Sequence, residues 1–244
     1  MKIYLVSNDW QIPFHDEQVI DNIVLPFTHW LKPDGWIWNG DIVDCYSLSD
    51  FNKNPLSEAT LVKEIDTAEQ YMREIHKIKS IKERVWIGGN HEDRVRRTIW
   101  KQKEKLPIDA DSTFQSLFRI PENGFAYYPY GYVYNLGCLD VTHGSVVRMH
   151  SGWSAKAHFD KRGGSVMIGH THRLGIYYRT NAKGTHAAYE NGCLCRLDPE
   201  YVQDPDWQQG LSVVRVGDKG FFNVQQVPII NRNFMMYGNK VWRV

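Results

Sequence analysis

Five short strings in this 244-residue chain carry side chains able to hold cations. They are Asp9, then Gly40-Asp41, Gly89-Asn90-His91, His143-Gly144 and Gly169-His170-Thr171-His172. Carboxylate, amide oxygen and imidazole together suit borderline-hard divalent ions such as Mn²⁺, Fe²⁺, Zn²⁺ or Ni²⁺. No cysteine belongs to the set, which argues against a closed structural zinc site and for an open catalytic one. Gly40 and Gly89 stand beside two of the donors, where the backbone must turn sharply or a cation must come close. Alone, each donor has a duller reading: Asp9 or Asp41 as a helix N-cap, His143 or His172 as a satisfied surface or core residue.

Their placement along the chain outweighs that duller reading. Ile3 to Val6 runs into Asp9, Trp36 to Trp38 into Asp41, and Val85 to Ile87 into Asn90 and His91. Leu139 to Thr142 runs into His143, and Ser165 to Ile168 into His170 and His172. Short apolar runs of this kind, with helix-like spacing between them, predict an α/β layered domain. In open α/β sheets ligands bind beyond the carboxyl ends of the strands, so donors as far apart in sequence as Asp9 and His172 converge there.

The intervening helices follow from periodicity. Val19, Ile20, Ile23, Val24, Phe27 and Leu31 share one face of a helix that Pro26 should kink or shorten. A long helix is predicted from a Ser57 N-cap to about Lys79, and a charged one from Asp93 to Lys105. The stretch 106–124 reads as irregular, and the remainder mostly as strands, at 126–134, 139–142, 165–168, 175–180, 186–189, 211–216 and 221–227. No repeat, low-complexity tract or linker divides the sequence, which predicts a single domain over residues 1–244.

Composition narrows the function classes. With 29 Lys+Arg against 28 Asp+Glu the formal charge is +1, short of the basic signature of a dedicated nucleic-acid binder. Nucleic acid stays open as a substrate through a local patch. The opening MKIYLVSNDW lacks the apolar length of a signal peptide, and no apolar run approaches the roughly 20 residues of a membrane span. The expectation is a cytoplasmic protein with no membrane partner; no oligomeric state follows. Cys45, Cys138, Cys193 and Cys195 lack zinc-site spacing and read as free thiols.

In order, DWQ, GDIVD, GNHE, HG and GHTH resemble the motifs D-x-H, G-D-x-x-D, G-N-H-D/E, H-G and G-H-x-H of the calcineurin-like metallophosphoesterases. The resemblance is closer to compact prokaryotic and phage members, including relatives of DNA-repair exonucleases, than to protein Ser/Thr phosphatases, whose GDxxDRG is GDIVDC here. It implies a four-layer α/β/β/α sandwich with a dinuclear metal site at the carboxyl ends of the strands. It also implies two divalent metal ions, Mn²⁺ first and Fe, Zn or Ni after it. Asp41 would bridge them; Asp9, Gln11 and His172 would complete one site, and Asn90, His143 and His170 the other. His91 would stay off the metals and either stabilise developing charge or protonate the leaving oxygen. The implied reaction is hydrolysis of a phosphate ester by in-line attack of a metal-bridging hydroxide.

One position departs from the pattern. Gln11 stands where the first motif usually has His, and an amide oxygen is a neutral and weaker ligand. Direct or water-mediated contact by Gln11 is favoured over compensation by His15 or Asp16. Asp44, three residues past Asp41, reads as support for a ligand. Of the basic residues Arg94, Arg96, Arg97, Lys101 and Arg173, most read as a solvated face paired with Glu92, Asp93 and Glu104. Arg94 and above all Arg173 are candidates to bind substrate phosphate. The aromatics Phe125, Tyr127, Tyr128, Tyr130, Tyr132 and Tyr134 read as a strand face broken by a turn at Pro129 and Gly131, rather than a base-stacking platform. A phosphodiesterase or nuclease is modestly favoured, with nucleic acid or a nucleotide as substrate. The alternatives are a phosphomonoesterase acting on a nucleotide or small molecule, and a non-catalytic metal-binding scaffold on the same fold, with Gln11 as its first lost ligand.

Overall fold

The computed structural model describes residues 1–102, 109–199 and 203–244. Among them the chain runs β1 (Lys2–Ser7), α1 (Glu17–Val19), a π turn (Ile20–Val24), α2 (Leu25–Leu31), β2 (Gly35–Asn39), α3 (Leu61–Lys77), β3 (Glu83–Ile87), α4 (Asp93–Gln102) and α5 (Ala110–Leu117). It continues through β4 (Ala126–Tyr128), β5 (Tyr134–Leu136), β6 (Leu139–Val141), α6 (Trp153–Arg162), β7 (Val166–Ile168), β8 (Leu174–Asn181) and β9 (Gly184–Asn191). Strands β10 (Gly210–Val216), β11 (Phe222–Ile230), β12 (Phe234–Tyr237) and β13 (Lys240–Arg243) follow. The result is a mixed α/β fold with an eight-stranded sheet ordered β13-β12-β11-β10-β1-β2-β3-β4 and a five-stranded sheet ordered β5-β6-β7-β9-β8.

The strands that end at the candidate donors are parallel neighbours: β1 with β2, β2 with β3, and, in the other sheet, β6 with β7. Parallel strands buried on both faces read as unbroken apolar runs, and the side chains here alternate between two cores. Leu5, Trp36, Trp38, Trp86 and Val213 pack with the helical residues Val19, Phe27, Met72 and Phe114. Their neighbours Tyr4, Val6, Ile37, Val85, Ile87 and Val214 pack instead against Leu139, Val141, Met167 and Tyr189 of the smaller sheet. Ala155 and Phe159 of α6 cover the opposite side of that sheet on Val166, Ile168 and Ala188.

Several expectations are corrected. The long helix starts at Leu61, because Thr60 rather than Ser57 caps it, its Oγ1 accepting from Lys63 N at 3.3 Å. Ser57 instead accepts from Ala59 N in the preceding loop. Pro26 acts through its missing N–H, since the turn before it takes the wider π bonding and α2 restarts around it. The run 126–134 is two strands in different sheets, parted by the turn at Pro129 and Gly131. Helix α5 lies inside the stretch read as irregular, and α6 and the β12-β13 hairpin were not expected. Of the predicted helix to Lys105, α4 accounts for Asp93–Gln102 and the rest lies outside the described residues. Among the described residues no helix is long and apolar enough to cross a membrane, and all four cysteines are free.

Candidate metal centre

The two sheets bring the predicted donors together. Asp41, His143 and His170 each offer an atom within 4.8 Å of the others. His143 Nε2 stands 3.1 Å from Asp41 Oδ2 and 3.2 Å from Asn90 Oδ1. On the other side, His172 Nε2 lies 3.4 Å from Asp9 Oδ1 and 3.1 Å from Gln11 Nε2. The halves are joined through backbone, His170 N donating to Asp9 Oδ2 at 2.8 Å and Asp9 N to the Gly40 carbonyl at 3.0 Å.

Holding these side chains inward distorts the backbone. Asp9, Gln11, Asp41, His170 and His172 all have positive φ, at 51°, 52°, 51°, 69° and 58°. A non-glycine residue in the left-handed region costs on the order of 1–2 kcal/mol, and such strain concentrates at functional sites. Close approach completes the arrangement: a Cβ on Gly89 would fall 2.1 Å from Asp41 Oδ1 and one on Gly169 2.8 Å from Asp9 Oδ2.

The donor chemistry fits cations. His143 is buried and its Nδ1–H donates to the Asn39 carbonyl at 2.9 Å, which aims the Nε2 lone pair at two oxygen acceptors. Three acceptor atoms facing one another need a positive charge between them. Without a metal that charge is a proton: burial works against it, but the Asp41 carboxylate prevails and pushes His143 up to about 10. Asp9 Oδ1 is buried with no hydrogen-bond partner among the described residues, an acceptor that a cation would satisfy. Gln11 donates from Nε2 to His172 Nε2, and half a turn of the same amide presents Oε1 there instead. Neither His15 nor Asp16 substitutes for it. His15 packs edge-on against Tyr71, and Asp16 accepts from Arg232 Nε at 2.5 Å and Gln209 Nε2 at 3.0 Å.

His91 sits apart from the ligand cluster. Its Nδ1 lies 3.1 Å from Asp44 Oδ2, and its Nε2 3.6 Å from Asp41 Oδ2. Burial disfavours the imidazolium, yet the Asp41 and Asp44 carboxylates outweigh it and raise the His91 pKa. Arg94 grips Asp44 through Nη1, at 2.7 Å to its carbonyl and 2.8 Å to Oδ1. Asp44 thus lies beside His91 as an ion-pair partner and is itself held by Arg94, whose Nη2 also stands 3.4 Å from His91 Nε2. A cavity of about 920 Å³ opens beside His91 and Gln11, with Phe14, Tyr46, Trp207 and Arg196 among its walls.

The best sequence candidate for substrate binding has its guanidinium engaged by loop carbonyls. Arg173 donates from Nη1 to the carbonyls of Arg148 at 2.6 Å and Met149 at 2.9 Å, and from Nε to that of Asp206 at 3.3 Å, so it ties loops together. Arg96 and Arg97 pair with Asp93, and Lys101 with Asp50, as a solvated face.

Two organising residues escaped the sequence reading. Glu92, buried to 2% exposure, accepts from Asp41 N, Ile42 N, Val43 N, Gly89 N and Trp86 Nε1. It fastens the Asp41 loop to the Gly89 loop, and its signal was the last letter of GNHE. Glu64 on α3 accepts from Cys45 N at 2.5 Å and Tyr46 N at 2.9 Å, and burial pushes its carboxyl up to about 8.

No model of a known protein family matches the chain. It is 28% identical over 258 residues to the Gene 54 protein of Mycobacterium phage D29, covering 100% of this chain and 99% of that protein. The Gene 54 protein of Mycobacterium phage L5 is 27% identical over the same length and coverage. A crystal structure of Vps29 from Chaetomium thermophilum is similar at a TM-score of 0.43 and 12% identity, over 93% of this chain and 98% of that one.

Proposed function

We propose that this chain is a metal-dependent phosphoesterase of the calcineurin-like kind, a single four-layer α/β/β/α domain holding two divalent cations. Its main support is the convergence of Asp9, Asp41, Asn90, His143, His170 and His172 at the strand ends, with His143 Nε2 aimed at Asp41 and Asn90. On this proposal Asp41 is shared by the two ions. Asp9, His172 and the Gln11 amide oxygen complete one set, and Asn90, His143 and His170 the other. Mn²⁺ is the first choice for so oxygen- and nitrogen-rich a set, with Fe, Zn and Ni as alternatives. Bound ions would supply Lewis-acid stabilisation of phosphoryl charge and an activated water.

The protein's own side chains do the rest. His91, whose imidazolium the Asp41 and Asp44 carboxylates favour against burial, would supply the proton to the leaving oxygen, with Asp44 on its Nδ1 side and Arg94 Nη2 3.4 Å from Nε2. The Arg94 guanidinium is oriented by Asp44 and acts through that carboxylate rather than as a free phosphate clamp. The aromatic cavity beside His91 gives room for a second ester substituent, which favours a phosphodiester, including a nucleotide or nucleic-acid end, over a monoester. Four free thiols suit a reducing, cytoplasmic setting.

The test is hydrolysis of bis-p-nitrophenyl phosphate and p-nitrophenyl phosphate with added Mn²⁺, alongside metal analysis. Metal-dependent turnover with preference for the diester is expected. Two tightly bound ions with no turnover of either ester would reject an enzyme in favour of a binding scaffold.

A further inference from the structure

Behind His172 lies a second group of donors of a different chemical character. Cys193 and Cys195 flank Leu194 in extended backbone, where alternate side chains share a side. Leu194 packs into the helical core, while both thiols lie with a ring nitrogen of His172 in a group whose donor atoms are within 4.8 Å of one another. Cys195 Sγ is 3.7 Å from His172 Nδ1, the nitrogen opposite the one that faces Asp9. All three residues are buried, and Cys195 reaches the wall of the cavity, which gives an entry path.

We propose that Cys193, Cys195 and Nδ1 of His172 form a separate site for a soft or borderline cation, Zn²⁺, Cd²⁺ or Cu⁺, back to back with the oxygen-rich centre. Zinc bonds of about 2.3 Å to sulfur and 2.0–2.1 Å to nitrogen put neighbouring tetrahedral donors about 3.5–3.8 Å apart. The 3.7 Å contact between Cys195 and His172 already meets that spacing. The remaining donors need to close by about 1.3 Å at most. Two thiolates and an imidazole select against Mn²⁺, so the two sites differ in preferred metal. A fourth ligand comes from the cavity side or from the Gln208 carbonyl, 3.6 Å from Cys193 Sγ. Binding releases both thiol protons to solvent and takes Nδ1 of His172 unprotonated. The proton of Nδ1 moves to Nε2, facing the Gln11 amide oxygen, when the oxygen-rich centre is empty, and also leaves to solvent, giving a bridging imidazolate, when Nε2 holds a cation. The site needs only the thiols and one imidazole nitrogen, so it does not depend on the hydrolytic function.

Zinc-edge X-ray absorption on the reduced wild-type protein loaded with Zn²⁺ should show sulfur scatterers at about 2.3 Å; a shell of nitrogen and oxygen alone overturns the proposal. Loaded with Cd²⁺, the wild type and the exposed-thiol variant Cys138→Ser should show the ultraviolet thiolate-to-metal band, and Cys193→Ser combined with Cys195→Ser should lose it. Survival of the band in that double variant also overturns it. Asp41→Ala should keep the band while losing Mn²⁺. Loss of both together would put the soft ion in the oxygen-rich centre and reject a separate site.

Discussion

Around Asp41 the donors stand 3.1 and 3.2 Å from His143 Nε2; around Asp9 the matching contact is 3.4 Å, and Oδ1 has no hydrogen-bond partner among the described residues. The Asp41 loop is held by Glu92, which collects four backbone N–H groups from it and from the Gly89 loop. The Asp9 loop leans on neutral partners, Asn8 Nδ2 at 2.5 Å and backbone, and faces an amide at Gln11. Similar side chains therefore form one half fixed by a buried carboxyl group that gathers four backbone N–H groups and another held by an amide, backbone and the His172 ring. The lesson is that ligand identity and ligand rigidity are set separately, the first by five strand ends and the second by residues outside the motifs.

That contrast can be broken most directly at Asp41, the residue proposed to be shared. Asp41→Ala is expected to lower diester hydrolysis by at least about 10³-fold and to strip metal from both halves, since several kcal/mol of charge stabilisation go with the ions; retained metal content would show that the halves do not share it. If His91 is a proton donor and not a ligand, as proposed, His91→Ala should cost about 10²–10⁴ in kcat with metal content unchanged.

Glu92→Gln tests whether rigidity belongs to the Asp41 half. Replacing one acceptor oxygen by a donor amide opposite several N–H groups should lower unfolding free energy by about 1–3 kcal/mol in urea titration. It should also weaken metal binding on that side first. Gln11→His should tighten the first-bound ion of the Asp9 half roughly tenfold, the low end of what one supporting contact changes. Equal affinity in titration calorimetry would mean that Gln11 takes no part.

The smallest effect is a pH slope. Burial pushes Glu64 up to about 8 from an ordinary 4.5, so the native state keeps this proton where the unfolded chain has lost it. Its contribution is complete below pH 4.5 and is lost as pH rises to about 8. Glu64→Gln should flatten the fall of stability across that window, measured by urea midpoints at several pH values; an unaltered slope rejects the assignment.

The donors were legible because each closes an apolar run and because type and order repeat at five places. Of their supports only Asp44 was. Glu92, the last letter of GNHE, sits beside charged residues that are mostly solvated, and only the motif sets it apart from them. Cys193 and Cys195 form a lone C-x-C, whose partner His172 lies some twenty positions earlier and approaches only through the fold. Helix α6 buries Ser154 and His158 beside Ala155 and Phe159, so no clean apolar stripe announces it. The β12-β13 hairpin did carry a signal, Gly238-Asn239 between two short apolar runs, of the kind that joins antiparallel strands. Arg173 adjoins His172 in sequence, but its guanidinium turns back onto loops, which adjacency alone does not reveal.

The position of β1 has a consequence for how the molecule comes into being. It is the first strand of the chain, yet one of its two neighbours is β10 and the Asp9 loop that follows it receives its hydrogen bond from His170. Closing so long a loop carries an entropic cost that grows with its length and must be met before these contacts repay it. An emerging chain that stops short of β10 therefore holds the Asp9 loop without the partners that shape it. Cations bound at this centre would recognise the completed fold alone, raising its stability by mass action and giving partly folded chains no template to grow around.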